Sequence, residues 1–169
     1  MNRLKKYTLA GIFFVVILGT LSHFTYEWSG NNRIVALFCP VNESTWEHMK
    51  LCFFPMLLYA LFMNRQLQEE YPCITSALLS GVIYGTFLIP VIFYTYTGIL
   101  GYNLLFLDLA TYLISVLLAF RAVYRLSLSC RAATFTAFLK VLTALLFLGF
   151  WIFTFFPPAI GLFVPPSAS

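Results

Sequence analysis

The sequence predicts an all-α, polytopic helical membrane protein of about five transmembrane helices, with its N-terminus inside and its C-terminus outside. Three observations predict it. The chain of 169 residues is 61% hydrophobic and only 9% charged, too little polar surface to coat a water-soluble globule of this size. Its apolar residues fall in runs near the roughly 20 residues that a helix needs to cross the hydrocarbon core. Its basic residues cluster in alternate connections. Disordered proteins, coiled coils and nucleic-acid binders are excluded, because they need low hydropathy, sustained polar heptad positions or a dense basic patch.

The first span is predicted over 7–26, after the basic opening Arg3, Lys5, Lys6. It is too long for a signal-peptide core, and Tyr26-Glu27-Trp28-Ser29 lacks a small-x-small cleavage pattern, so it is read as a retained helix. The second, 43–63, has an apolar part of only Leu51 to Met63 and reaches membrane length by carrying Glu47, His48 and Lys50 into the bilayer edge. The third, fourth and fifth are predicted over 73–93, 102–120 and 134–156, bounded by Gly, Pro, Asn or Arg. The whole chain, 1–169, reads as one membrane domain, with an irregular Pro-rich tail from Pro157 to Ser169.

With the N-terminus inside, Arg3, Lys5, Lys6, Arg65, Arg121, Arg125 and Arg131 are cytoplasmic and only Arg33 and Lys50 lie outside, a bias of seven to two. Lys140 snorkels from the fifth span. Trp28, Trp46, Tyr94, Tyr96 and Tyr102 read as outer aromatic anchors, and Tyr7, Tyr71 and Tyr124 as inner ones. Ala77, Gly81 and Gly85, at four-residue spacing, predict close helix packing within the chain or against a second copy in a homo-oligomer. The four cysteines show no C-x-x-C pair; Cys73 and Cys130 are expected as reduced cytoplasmic thiols, and Cys39 and Cys52 as buried, inert ones.

Four of the six acidic residues, Glu27, Glu43, Glu47 and Asp108, fall in the outer half with both histidines. At a rise of 1.5 Å per residue, His23, His48 and Asp108 lie about 5, 6 and 9 Å below their helix ends. The pairs His23/Glu27, Glu43/Glu47 and Ser44/His48 each have the four-residue spacing that shares a helix face. Ionisable groups at membrane depth are costly and face cavities, partners or ions. The predicted pocket, between the first, second and fourth spans, therefore comprises His23, Glu27, Asn42, Glu43, Ser44, Trp46, Glu47, His48, Lys50 and Asp108.

The run His23 to Gly30, then Pro40-Val41-Asn42-Glu43-Ser44-Thr45-Trp46-Glu47-His48-Met49-Lys50 and Phe53-Phe54-Pro55, resembles a family of small bacterial multi-pass membrane proteins known only as a domain of unknown function. The resemblance covers most of the chain and implies a bacterial cytoplasmic-membrane location, with no mechanism. In that family a Phe-Pro-Pro segment precedes an acidic, Gly-Tyr-containing tail. Phe155-Phe156-Pro157-Pro158 and Leu162-Phe163 match; Val164-Pro165-Pro166-Ser167 does not.

Three chemistries fit the cluster. Binding or transport of a small ligand or ion, with His23 and His48 titrating, asks least of the geometry. A metal site for Zn, Fe or Mn, from His23, His48, Glu47 and Asp108, would support a metal-dependent hydrolase. A purely structural reading uses Ser44-x-x-Glu47 as a capping box and pairs Lys50 with Glu47. A serine triad on Ser44 or Ser29 lacks a nucleophile elbow, and a bis-histidine haem lacks a second ligand pair. The partners expected are membrane lipids and a small molecule, not nucleic acid.

Overall fold

A computed structural model describes residues 2–165, and these form helices joined by short connections, with no strand among the described residues. The elements are α1 (Arg3–Trp28), a single turn α2 (Arg33–Ala36), α3 (Thr45–Leu67), α4 (Ile74–Leu100), α5 (Leu105–Ser129) and α6 (Thr136–Phe155). Helices α1, α4, α5 and α6 are long and apolar enough to cross a membrane. Helix α3 is equally long, but carries Glu47, Lys50 and Arg65 and is the most enclosed element. Phe13, Ile99, Leu105, Phe106, Phe138 and Leu145 are among many large apolar side chains left exposed. Such an exterior suits lipid and not water.

Helices α1, α3, α4 and α5 form a four-membered ring in which each packs on the next and α5 closes on α1, while α6 lies outside against α4 and α3. The small face expected on α4 packs within the chain. A methyl group on Gly81 would strike Val123 and Met56, and one on Gly85 would strike Ala119 and Cys52, so α4 sits close to both α5 and α3.

A second small face, on α1, went unread in the sequence. The Tyr59 hydroxyl donates to the Tyr7 carbonyl at 2.7 Å, and the Tyr112 hydroxyl to the Val15 carbonyl at 2.7 Å. In both cases the residue four further along α1 is glycine, Gly11 and Gly19, and a side chain there would collide with the incoming tyrosine. Pro55 adds to the second joint. Lacking an N–H, it leaves the Leu51 carbonyl without its helical donor, and that oxygen lies 3.4 Å from the Tyr112 hydroxyl. One hydroxyl thus ties α1, α3 and α5 together at mid-depth.

Several expected boundaries and contacts are corrected. Helix α1 starts at Arg3 because the Asn2 side chain caps it, accepting from the Lys5 N–H at 2.9 Å. Helices α4 and α5 run to Leu100 and Ser129, well beyond the 93 and 120 expected, as no Pro or left-handed residue intervenes before Gly101 and Cys130. Cys73 and Cys130 are not free thiols: they form a disulfide, with Cα atoms 5.3 Å apart. They are 57 residues apart in sequence, and the antiparallel α4–α5 hairpin brings its two ends together. Cys39 and Cys52 are free and buried.

Trp46 is not an interfacial anchor but is buried among Phe150, Phe153 and Phe163. The tail is not wholly irregular. Gly161–Phe163 makes a 3-10 turn that seats Phe163 on Trp46, while Pro166 to Ser169, expected to be irregular, lie outside the described residues. A substitution Gly19→Ala is expected to destabilise the protein by about 1–3 kcal/mol through overpacking, and Tyr112→Phe by about 0.5–1.5 kcal/mol through the lost hydrogen bond. The double variant should lose less than the sum, since phenylalanine removes the oxygen that meets the new methyl; denaturant titration in mixed micelles measures all three, and strict additivity would refute the joint.

Candidate functional site

Two polar clusters form where one was expected, and the helix phase separates them. Glu47 and His48 are adjacent on α3, so their side chains diverge by about 100°. Glu47 turns toward the 33–44 segment and α6, and His48 toward α1. Glu43 precedes the first residue of α3 and is free of the helical repeat. It therefore does not share a face with Glu47.

The first cluster surrounds Lys50, which is fully buried. Its ammonium donates to Glu47 Oε2 at 2.7 Å, to Thr154 Oγ1 at 2.6 Å and to the Ala36 carbonyl at 2.9 Å, with the Cys39 carbonyl at 3.5 Å. Glu47 Oε2 also accepts from the Val41 N–H at 3.0 Å, and Oε1 from Thr154 at 3.0 Å. Both carboxylate oxygens are committed, so Glu47 is not brought to the histidines. The capping box forms by half: Ser44 Oγ caps the Glu47 N–H, but the Ser44 N–H is taken by Asn42 Oδ1 at 2.8 Å.

The second cluster joins α1 to the start of α3. His23 Nε2 lies 3.3 Å from His48 Nε2. Glu43 Oε2 lies 3.2 Å from His48 Nε2 and 3.6 Å from His23 Nε2. These three residues are the only histidine, cysteine and acidic group among the described residues arranged to hold a metal ion. His48 Nδ1 lies 3.1 Å from the Ser44 carbonyl, which only accepts, so Nδ1 carries the proton and a neutral His48 turns a bare Nε2 inward. Bare nitrogen beside a carboxylate oxygen is repulsive. A hydrogen on His23 Nε2, or a cation shared by the three atoms, relieves it.

The Glu43 carboxyl is held below the usual carboxylate range, chiefly by the hydrogen bond from His48, with burial opposing and the charges of both histidines assisting. Its side chain is two-thirds exposed, so solvent screens much of this effect.

His23, Glu43 and His48 stand at one side of a cavity of about 400 Å³. It is lined from α1 by Thr20 and Phe24, from α3 by Thr45 and Leu51, from α4 by Ile89 and Phe93, and from α5 by Asp108, Leu109, Thr111 and Tyr112. Helix α4 was not expected there. Asp108 lines the cavity but lies outside the histidine cluster. It accepts from the Tyr96 hydroxyl and, at 3.4 Å, from Asn103 Nδ2. Tyr96 was read only as an interfacial anchor; its twelve-residue separation from Asp108 across the α4–α5 turn was the available signal. Glu27 is exposed and makes no side-chain hydrogen bond among the described residues.

The fold and this site define an all-helical protein with membrane-length apolar helices and a histidine–carboxylate cluster beside a cavity. Comparison with known sequences gives the family: the chain belongs to a family of unknown function, DUF6512, whose model matches residues 1–167. No curated protein and no solved structure matches it.

Lys50→Met leaves the Glu47 carboxylate buried without its counter-charge and is expected to cost about 3–5 kcal/mol, read as loss of folded protein in a denaturant titration. Glu43→Gln acts differently. Because folding lowers the Glu43 carboxyl, its contribution is present above the ordinary carboxylate range and is lost as pH falls through the lowered value. In chelator-treated protein, the stability gap between wild type and Glu43→Gln should close as pH drops below about 4; a gap that widens with acid would contradict the assignment.

Proposed function

We propose that this protein is a multi-pass protein of the bacterial cytoplasmic membrane that binds one zinc-class metal ion through His23 Nε2, His48 Nε2 and Glu43 Oε2. One observation carries the proposal. The three donor atoms are separated by 3.2, 3.3 and 3.6 Å, and a tetrahedral ion with bonds of about 2.0–2.1 Å has donor-to-donor edges of about 3.3–3.4 Å. An octahedral face with the same bonds has edges of about 2.9 Å. Two imidazoles and one carboxylate are the donor set of open zinc sites, in which the fourth ligand is water or a small molecule. The Ser44 carbonyl on His48 Nδ1 supplies the outer hydrogen bond that such ligands receive.

The ligand set differs from the one expected. Glu43 takes the place assigned to Glu47, and Asp108 faces the cavity instead of the ion. Of the three chemistries the sequence admitted, this joins the metal site to a ligand-binding cavity, since His23, Glu43 and His48 all line that cavity. A zinc ion there would polarise a ligand's oxygen or acidify a bound water, the chemistry a hydrolase uses.

The test is the metal content of tag-free protein purified in detergent and equilibrated with zinc. About one zinc per chain is expected, with affinity weakened about tenfold or more in His23→Ala, His48→Ala and Glu43→Ala, and falling with acid as the imidazoles protonate. Trace metal in the wild type, or zinc retained by a His23→Ala/His48→Ala double variant, would overturn the proposal.

A further inference from the structure

Most helical threonines away from the cavity satisfy their own hydroxyls. On the helices away from the cavity, Thr8, Thr25, Thr86, Thr95, Thr97 and Thr143 each donate to the carbonyl four residues back. This is the usual resting state of a helical threonine in apolar surroundings. The three threonines that line the cavity, Thr20, Thr45 and Thr111, make no side-chain hydrogen bond among the described residues. Thr111 is the sharpest case. Its residue is only 3% exposed and its Oγ1 is buried without a partner. Ser115 Oγ on the same helix is likewise buried without a partner but lies off the cavity, so it is the lining position of Thr111 together with its missing bond that points to an occupant.

Leu51, Ile89 and Phe93 give the cavity an apolar lining as well. The cavity also has an open flank. Helices α1 and α5 meet closely at Gly19 and Tyr112 and at Gly11 and Phe120. Nearer the histidine end the lining residues Phe24, Leu105 and Leu109 are exposed, at 45%, 75% and 53%. In a bilayer these three face acyl chains, so the cavity communicates with lipid between α1 and α5. Oxygen-seeking hydroxyls, an apolar lining and a lipid-facing flank together describe an amphipathic occupant.

Resting on the metal assignment above, we propose that the cavity binds a single-chain, lipid-like molecule that enters sideways between α1 and α5. Its oxygen headgroup sits on the metal held by His23, Glu43 and His48 and on the hydroxyls of Thr20, Thr45 and Thr111. Its chain lies along Leu51, Ile89 and Phe93. Asp108, already holding Tyr96 and Asn103, fixes the α4–α5 end of the rim and adds no donor to the ion.

Two chelating probes with one headgroup test this: acetohydroxamate and octanohydroxamate, titrated into zinc-loaded protein in nanodiscs, with uptake by empty nanodiscs subtracted. Each buried methylene strengthens binding about fourfold, so the eight-carbon probe should bind at least a hundredfold more tightly than the two-carbon one. Thr111→Leu, which narrows the cavity and removes its orphan hydroxyl, should abolish most of that gain while retaining zinc. Leu109→Trp, at an exposed position on the flank, should do the same by obstruction and is independent of how Thr111→Leu folds. Equal affinities for the two probes in zinc-loaded protein, or a gain untouched in both variants, would overturn this inference and leave the metal site standing. A wild type that takes up no zinc overturns both, and the metal measurement shows which has failed.

Discussion

The Lys50 ammonium is the constraint on which the polar end of this molecule depends. An ammonium has three protons, and Lys50 finds Glu47, Thr154 and the Ala36 carbonyl in one shell. Each acceptor comes from a different element: α3 itself, α6 and the turn α2. Burying this pair need not stabilise the fold more than well-packed apolar residues would, but leaving either charge alone is costly, so the geometry is strongly specified. The 33–44 segment has little regular structure of its own, and the Val41 N–H on Glu47 pins its last part. Glu43 then stands two residues beyond that pin, over the histidines.

The same constraint sets the phase of α3. With Glu47 committed to the ammonium, the next side chain must point about 100° away, and that direction is toward α1 and His23. A structural ion pair and a candidate binding group thus occupy consecutive positions. Neither could move to the other face without breaking the first. The aromatic packing of Trp46 on Phe150, Phe153 and Phe163 supports this register from the residue before.

The helices were legible in the sequence because apolar runs between breakers report directly on length, and the depth of His23 and His48 followed from the rise per residue. What could not be read was which acid turned where. The four-residue rule assumes that both members are helical, and Glu43 is not; pairing it with Glu47 required a helix that includes position 43, whereas α3 begins two residues later, at Thr45. Long-range partners were equally hidden. Nothing local links Gly19 to Tyr112 or Cys73 to Cys130, since each pairing depends on which helices are neighbours. The disulfide also bears on sidedness, for it lies at the end where lysine and arginine gather. Basic residues favour the cytoplasmic side at insertion, whereas a disulfide persists in an oxidising compartment, so the two signals oppose each other at that end.

The acidic inventory explains why the two histidines meet one carboxylate and no second. Glu69 and Glu70 lie at the far end, where Glu70 pairs with Arg3 at 3.2 Å. Glu47 has both oxygens occupied by Lys50, Val41 and Thr154, and Asp108 is held by Tyr96 and Asn103 across the cavity. Glu27 points to the exterior one turn above His23. Only Glu43 remains to approach the imidazoles, and among the described residues its carboxylate is anchored by them alone. Three donors on one side of a cavity make a face and not a cage. A tetrahedral ion resting on that face would complete its shell with a group from the cavity, which Thr111 also lines.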